Sequence, residues 1–231
     1  MRGGLRWVAD GLFPRGGNPH GVLPALLILL ALVTGLVDAI SFLGLGRVFV
    51  ANMTGNIVFL GFALAGDQEL SKWASPLALA AFGAGAWTAG QVTRRTSDAR
   101  RAFAAATAAH ALLVAAALTV ALVSGHHHTG ARAALIGLLA YGMGLQNASV
   151  RALAVPDLVT NVLTTTLTGL AADIPGRSAL RRSASVVAMF LGALTGAALH
   201  LHVGPALPLA AALTLLAVVA VVARRRTRRT S

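Results

Sequence analysis

Several stretches of 18 to 23 residues in this chain carry no charged side chain. A helix of that length crosses the roughly 30 Å hydrocarbon core of a bilayer. Because lipid offers no hydrogen-bond partners, a spanning segment must satisfy its own backbone, which restricts it to helices or a closed barrel. The stretches are rich in Ala and Leu and lack the alternation of barrel strands. The sequence therefore predicts an all-α integral membrane protein.

Charge and composition indicate which partners to expect. Only 11% of the residues are charged, against about 25% in soluble domains. The net charge of +12 comes from arginines in short clusters between apolar runs, which is typical of cytoplasmic loops and leaves no folded basic face for nucleic acid. Cysteine is absent, which excludes disulfides and thiolate metal sites. We expect a lipid bilayer and an unknown small solute or ion as partners and no nucleic acid, with homo-oligomerisation left open.

Breaks at Gly, Pro and charged residues divide the chain into eight apolar segments. They are 22–46, 48–66, 74–93, 102–124, 133–151, 157–174, 183–202 and 205–223. The second segment begins with polar residues, and the sixth is rich in threonine. Neither suits a helix that faces lipid along its whole length.

The distribution of arginine favours one topology. If all eight segments cross, the dense cluster at 94–101 lies outside. If the second and sixth segments enter and return on the same side, all but three of the 19 basic residues become cytoplasmic, as the positive-inside rule favours. We therefore predict six transmembrane helices plus two re-entrant or broken half-helices, with both termini cytoplasmic. Eight spans in parallel repeats is the alternative.

Parts of the first half of the chain recur in degraded form in the second. Residues 35–39 reappear as 144–148, and the polar run 50–57 aligns with 160–167. Three crossings in each copy is an odd number, so the second copy would be inverted relative to the first. The predicted units are a cytoplasmic N-terminal segment 1–21 (an interfacial helix or a frayed tail), a first repeat 22–124, a second repeat 133–223 and a basic tail 224–231.

The recurring motifs carry a family resemblance. Gly35-Leu-Val-Asp-Ala, Asn52-Met-Thr-Gly-Asn and Gly144-Leu-Gln-Asn-Ala, with the Thr-rich run 160–168, resemble the YoaK-like family of uncharacterised multi-pass bacterial membrane proteins, a domain of unknown function. The resemblance implies an inner-membrane protein of about six helices and brings no substrate or catalytic residue. The second copy has Thr165-Thr166 where the first has Gly55-Asn56, so that half has diverged.

Asp38 is the one carboxylate deep inside a predicted spanning helix. A charge there is costly, so such residues usually face a cavity or a partner. One interpretation is a proton or cation site, or an anchor for a solute. The other is a structural Asp that hydrogen-bonds a neighbouring helix or re-entrant loop. Its counterpart in the second copy is Asn147, which lacks the charge.

The two polar segments predict a pair of half-helices that begin near the bilayer midplane. Their N-terminal N–H groups and positive dipole ends would suit an anion or a polar neutral solute. The alternative is that Thr and Asn only hold helices together. The predicted solute-binding residues are Asp38, Asn52, Thr54, Gly55, Asn56, Asn147, Thr160, Asn161, Thr164 and Thr166.

These features favour a small-solute transporter or channel with a polar site at the repeat interface. A non-transporting scaffold or assembly protein is one alternative, and an intramembrane enzyme is another. No catalytic signature is present, so we expect no enzyme activity, no cofactor and no metal. We expect 126–128 to be a solvated His loop, His110 to be a helix contact, and Gly192 with Gly196 to mark close helix packing.

Overall fold

The computed structural model describes residues 2–12, 20–96, 98–126, 128–156, 158, 168–169 and 176–227. Within these ranges all regular secondary structure is helical, which confirms the all-α prediction. The helices are α1 (Arg2–Leu12), α2 (Leu23–Gly44), α3 (Met53–Ala65), α4 (Ala74–Arg95), α5 (Ala99–Ser124), α6 (Thr129–Leu153), α7 (Arg177–Val203) and α8 (Ala206–Thr227).

Most of the described helices are long enough to cross a bilayer. Five of them, α2, α5, α6, α7 and α8, are also apolar enough to do so. The 22-residue α4 is less apolar because polar and small residues such as Ser75, Gly83, Thr88 and Gln91 are spread along it. By contrast, α3 has 13 residues and reaches only about 20 Å, short of the roughly 30 Å of hydrocarbon. The chain therefore has the helices of a multi-pass membrane protein.

Six of the eight predicted apolar segments contain a helix with similar bounds. The second segment is helical only from Met53, because the Asn52 side chain caps α3 by accepting a hydrogen bond from the Gly55 amide. The sixth segment, 157–174, lies almost wholly outside the described residues.

Glycines bring the long helices together in two pairs. In the first pair, α2 packs along α7, and a Cβ at Gly35 would overlap the carbonyl oxygen of Met189. A Cβ at Gly192 would likewise overlap the carbonyl oxygen of Leu32, and one at Gly196 would come within 2.9 Å of the carbonyl oxygen of Leu36. These contacts confirm that the Gly192 and Gly196 pattern marks close helix packing.

The second pair is formed by α4 and α6. A Cβ at Gly85 would overlap the carbonyl oxygen of Tyr141, and one at Gly144 would overlap that of Phe82. The hydroxyls of Thr88 and Tyr141 are 2.8 Å apart and join the same two helices. α5 lies against α6 and α8, and α2 also touches α8.

Side-chain contacts show which helix ends lie together. At one end, which we call the basic end, a pocket joins His20 before α2, Arg100 at the start of α5 and Arg226 near the end of α8. In the first turns of α7, Arg181 donates a hydrogen bond to the Leu12 carbonyl at the end of α1. The starts of α2, α5 and α7 and the end of α8 therefore share this end.

The opposite end gathers the complementary termini. Arg132, in the first turn of α6, donates a hydrogen bond of 3.0 Å to the carbonyl of Leu45, directly after α2. The same guanidinium lies 5.9 Å from the ring centre of Trp73, the residue before α4. His200, near the end of α7, packs against Gly44.

The interior is packed mainly with Ala, Val and Leu side chains, and the exterior is also apolar. α2 and α6 are the most deeply buried of the spanning helices. The exposed large side chains include Val58, Phe62, Trp87, Leu112 and Phe190. An apolar exterior of this kind is suited to lipid, because a bilayer imposes no penalty on exposed hydrocarbon.

Candidate functional site

The connection from Leu45 to Asn52, between α2 and α3, runs through the protein interior. Val48, Val50 and Ala51 are fully buried, although this backbone is not helical. Buried N–H and C=O groups outside a helix need other partners, because leaving them unpaired is costly. Side chains from two spanning helices and α3 provide them.

Asp38 supplies the first set of hydrogen bonds. Its Oδ1 atom accepts from the backbone amides of Val50 at 3.0 Å and Ala51 at 2.8 Å. The side chain is buried, and Oδ2 has no hydrogen-bond partner among the described residues. These contacts match the structural interpretation of Asp38, in which it holds a neighbouring loop. A direct contact between Asp38 and a solute stays a prediction.

Asn56 and Arg132 hold the rest of the connection. The Oδ1 atom of Asn56 accepts from the Phe49 amide at 2.9 Å, and its Nδ2 atom donates to the Phe49 carbonyl at 2.7 Å. Arg132 binds the Leu45 carbonyl, as described above. We call Asp38, Asn56 and Arg132 the clamp. It fixes a non-helical segment by satisfying backbone groups that lipid could not.

A second group of polar side chains lies inside the bundle. Thr34 on α2, His110 on α5 and Gln146 on α6 are all at most 1% exposed; we call them the core polar cluster. The Thr34 hydroxyl donates its hydrogen to the Leu30 carbonyl at 2.9 Å, so it must accept from Gln146 Nε2 at 3.1 Å. This orientation leaves Gln146 Oε1 without a donor among the described residues.

His110 completes the core polar cluster. Its ring packs directly against Gly142, one turn before Gln146, where any larger residue would collide with it. It lies within hydrogen-bonding range of the Gln146 side chain, yet neither ring nitrogen makes a well-formed hydrogen bond in the described part of the chain. An unpaired buried polar group costs about 1–3 kcal/mol. Such groups mark places where water or a ligand supplies the missing hydrogen bonds.

The structure brings only some of the predicted solute-binding residues together. Asp38, Asn52 and Asn56 surround the connection that the clamp holds. Gly55 packs against the Phe49 ring, where a Cβ would come within 2.9 Å.

The remaining predicted residues lie apart or outside the described ranges. Thr54 is exposed on α3. Asn147 is half-buried and donates to the Met143 carbonyl one turn earlier on α6. Thr160, Asn161, Thr164 and Thr166 lie outside the described residues, so their convergence with Thr54 and Asn56 stays a prediction.

Sequence reasoning missed three of the interior polar residues. Gln146 lies inside the repeated motif, where the first copy has Val37, and a polar residue in a spanning helix was the available signal. Thr34 and Arg132 were harder to identify as interior residues from the sequence. A threonine often hydrogen-bonds to its own helix, and an arginine is common at the end of a spanning helix. His110 is a helix contact, as expected, and also a member of the core polar cluster.

Of the histidines at 126–128, His126 and His128 are among the described residues. No group of three or more metal-ligating side chains is found there. His126 lies 5.9 Å from the ring of His200, edge to face. His127 lies outside the described residues.

Two comparisons with known proteins match the chain. A family model described as "Protein of unknown function (DUF1275)" matches residues 26–222. "UPF0700 transmembrane protein YoaK" of Bacillus subtilis (strain 168) is 36% identical over 152 residues, which are 66% of this chain and 67% of the relative. No solved structure matches. The resemblance read from the Asp-Ala and Met-Thr-Gly-Asn motifs is thereby confirmed.

Proposed function

We propose that this chain, which belongs to the DUF1275 family of proteins of unknown function, moves a small polar solute across the bacterial inner membrane as a transporter or channel. The observation that carries this proposal is the core polar cluster. It combines full burial with three polar atoms, Oε1 of Gln146 and both ring nitrogens of His110, that make no well-formed hydrogen bond to another described residue, although the two side chains lie beside each other. A purely structural core would gain stability by replacing such atoms with apolar ones.

The proposal includes six crossings and two segments that return to the side they enter. In support, α2 begins at the basic end, and Leu45 after it lies at the opposite end beside Arg132. α4 begins beside the same arginine, at Trp73. Thus α3 and its connections leave the opposite end and return to it. Likewise α6 begins at the opposite end and α7 begins at the basic end. The single crossing made by α6 already connects the two ends, so the segment between α6 and α7 need not cross the membrane.

Two inverted repeats are the second part of the proposed layout. Gly35 meets Met189 and Ala193 at one helix crossing, and its repeat counterpart Gly144 meets Phe82 and Ala86 at the other. Gly85-Ala-Trp-Thr on α4 recurs as Gly192-Ala-Leu-Thr on α7, and in the same alignment Phe82 and Ala86 correspond to Met189 and Ala193. An exchange of the two copies therefore maps one crossing onto the other, as a two-fold axis requires. With three crossings in each copy, that axis lies in the membrane plane.

The core polar cluster lies where these two helix pairs meet. Thr34 belongs to the α2–α7 pair and Gln146 to the α4–α6 pair, and their hydrogen bond joins the pairs. The cluster offers the Oε1 acceptor and an imidazole with one donor and one acceptor. This set suits a small neutral solute with hydrogen-bonding groups. The proposal assigns no catalytic step, cofactor or metal to the chain.

A non-transporting scaffold is the second candidate, and the clamp favours it. Asp38 and Asn56 each make two hydrogen bonds to the Leu45–Asn52 connection. Polar residues used in this way only stabilise a membrane fold. The scaffold function therefore explains the clamp. The transporter function also explains why polar atoms of the core polar cluster lack well-formed hydrogen bonds among the described residues.

Cysteine accessibility separates the two candidates without knowledge of the solute. The chain has no native cysteine, so Thr34→Cys places a single thiol in the core polar cluster. Ala212→Cys on α8, equally buried at 0% exposure, is the matched control. In proteoliposomes a transporter exposes Thr34→Cys to a small charged thiol reagent from at least one side, while Ala212→Cys stays shielded. If both thiols resist the reagent from both sides, the scaffold replaces the transporter.

The proposed topology has its own test. Single cysteines at Gln68 and His128 should react with an impermeant reagent added outside intact cells, and one at Thr96 should react only after the membrane is opened. Reaction of Thr96→Cys from outside would restore eight spans.

A further inference from the structure

The short helix α1 is held against the basic end of the bundle. Ala9 and Leu12, on one side of the helix, are 0% and 6% exposed, and Leu12 belongs to the same hydrophobic core as Leu23 at the start of α2. Arg181, in the first turns of α7, donates a hydrogen bond to the Leu12 carbonyl. α1 therefore packs where α2 and α7 begin.

The rest of the surface of α1 is divided into a polar sector and an apolar sector. Arg6 and Asp10, one helical turn apart, are both exposed. Trp7 and Val8 are exposed as well, at 80% and 39%. With 3.6 residues per turn, these two pairs and the buried side of the helix occupy three different sectors around its axis. One apolar sector of α1 is thus turned away from the bundle, although burying an indole is strongly favourable.

The height of α1 relative to the bilayer follows from α2. This helix has 22 residues and is about 33 Å long, so its first turn lies close to the edge of the roughly 30 Å hydrocarbon core. α1 packs beside that turn and therefore lies at the level of the lipid headgroups. There the sector of Trp7 and Val8 continues the apolar exterior that the spanning helices present to lipid.

The chemistry of the exposed sectors fits this level of the membrane. A tryptophan is favoured at the interface because its ring contacts acyl chains while its N–H reaches polar headgroups. Arg6, next to Trp7 in the sequence, carries the positive charge that anionic headgroups attract. A helix with an apolar sector beside a charged one typically lies in the plane of the interface.

We propose that α1 is a membrane-surface anchor, in which Trp7 and Val8 insert between the headgroups and the first methylenes of the lipids while Arg6 and Asp10 remain in water. Because Leu12 and Arg181 connect α1 to the starts of α2 and α7, the anchor fixes the depth of this helix pair in the bilayer. The proposal does not rest on transport, since it concerns only α1 and the basic end.

Tryptophan fluorescence of the full-length chain in liposomes tests the proposal. The chain has three tryptophans, so the double variant Trp73→Phe/Trp87→Phe leaves Trp7 as the single indole. The liposomes contain phosphatidylglycerol and phosphatidylcholine, and the phosphatidylcholine carries bromine either near the headgroup or near the end of the acyl chains. We expect the shallow bromines to quench Trp7 more strongly than the deep ones, and aqueous iodide to quench it weakly.

A matched variant shows that the chain is inserted. Trp7→Phe/Trp73→Phe leaves Trp87, which is 67% exposed on α4, and its quenching should be shifted toward the deep bromines relative to that of Trp7. If iodide quenches Trp7 more than the brominated lipids do, α1 lies in water and the proposal is wrong. If Trp7 is protected from both quenchers, protein covers it, and the assignment to lipid is also wrong.

A second label serves if the tryptophan variants fail to fold. Because the chain has no cysteine, Trp7→Cys can carry a single spin label. We expect its electron paramagnetic resonance signal in the same liposomes to relax faster with oxygen, which concentrates in lipid, than with a water-soluble nickel complex. A greater effect of the nickel complex would overturn the proposal.

Discussion

Gln146 on α6 donates a hydrogen bond of 3.1 Å from its Nε2 atom to the hydroxyl of Thr34 on α2, and both side chains are fully buried. The bond joins two helices that otherwise pack mainly against other partners, α2 against α7 and α6 against α4. The bond therefore lies at the junction between the two helix pairs. A movement of one pair relative to the other would change its length directly. Transporters built from inverted repeats bind their solute at such junctions.

The first prediction concerns Gln146 itself. Gln146→Leu removes one hydrogen bond, worth about 1 kcal/mol, and also removes the unpaired Oε1 atom, whose burial costs about 1–3 kcal/mol. We expect the thermal unfolding midpoint to stay equal or rise. In the same variant, thiol labelling of Thr34→Cys should slow strongly, because an apolar side chain excludes water from the core polar cluster. A large loss of stability would mean that Gln146 is structural.

The second prediction concerns the clamp. Asp38→Leu leaves the amides of Val50 and Ala51 without their acceptor, which should lower the free energy of unfolding by about 2–5 kcal/mol. Asp38→Asn keeps an acceptor oxygen in place and should retain most of the stability. Thermal unfolding of both variants in detergent measures the difference. Equal stability of the Leu and Asn variants would show that the hydrogen bonds to the connection contribute little.

Much of the architecture could be predicted from sequence because lipid imposes simple rules. Uncharged length identifies spanning helices, and the polar start at Asn52 anticipated that α3 would be too short to cross. The close packing at Gly192 followed from the spacing of small residues. Each of these properties is local in the sequence.

The interior contacts could not be predicted in the same way. The partner of Gln146 lies 112 residues away, and its identity depends on how each helix is rotated about its axis. Likewise, the sequence shows that Asp38 lies within a spanning helix, where a charge is costly. It does not show which backbone amides the carboxylate contacts. Asp38, Asn52 and Asn56, predicted as part of one solute site, gather around the Leu45–Asn52 connection, and their contact with a solute stays a prediction.

The third prediction concerns pH. Burial and the nearby arginines lower the pKa of His20 below its ordinary value of 6.5. As pH falls through about 6.5, the unfolded chain takes up a proton that the folded chain resists, so the contribution of His20 to stability falls. His20→Gln should therefore reduce the loss of thermal stability between pH 7.5 and pH 5.5. If His20→Gln does not change the loss, His20 plays no part in it.

The fourth prediction concerns the two glycine crossings. A Cβ at Gly35 or Gly144 would overlap a backbone carbonyl oxygen, of Met189 or Phe82, and backbone cannot turn aside as a flexible side chain does. Gly35→Ala and Gly144→Ala should therefore each destabilise the protein by about 1–3 kcal/mol. Because their contacts correspond under exchange of the two copies, the two losses should be similar.

The same helices provide matched controls for this prediction. Gly83 on α4 and Gly137 on α6 have no atom within 4 Å of an added Cβ. Gly83→Ala and Gly137→Ala should be neutral or stabilising by up to about 1 kcal/mol, since alanine favours the helix. Thermal unfolding in detergent, with all four variants at equal protein and lipid concentration, measures the contrast. If Gly144→Ala is as benign as Gly137→Ala, the α4–α6 crossing is looser than this packing requires, and the two-fold relation between the crossings loses its support.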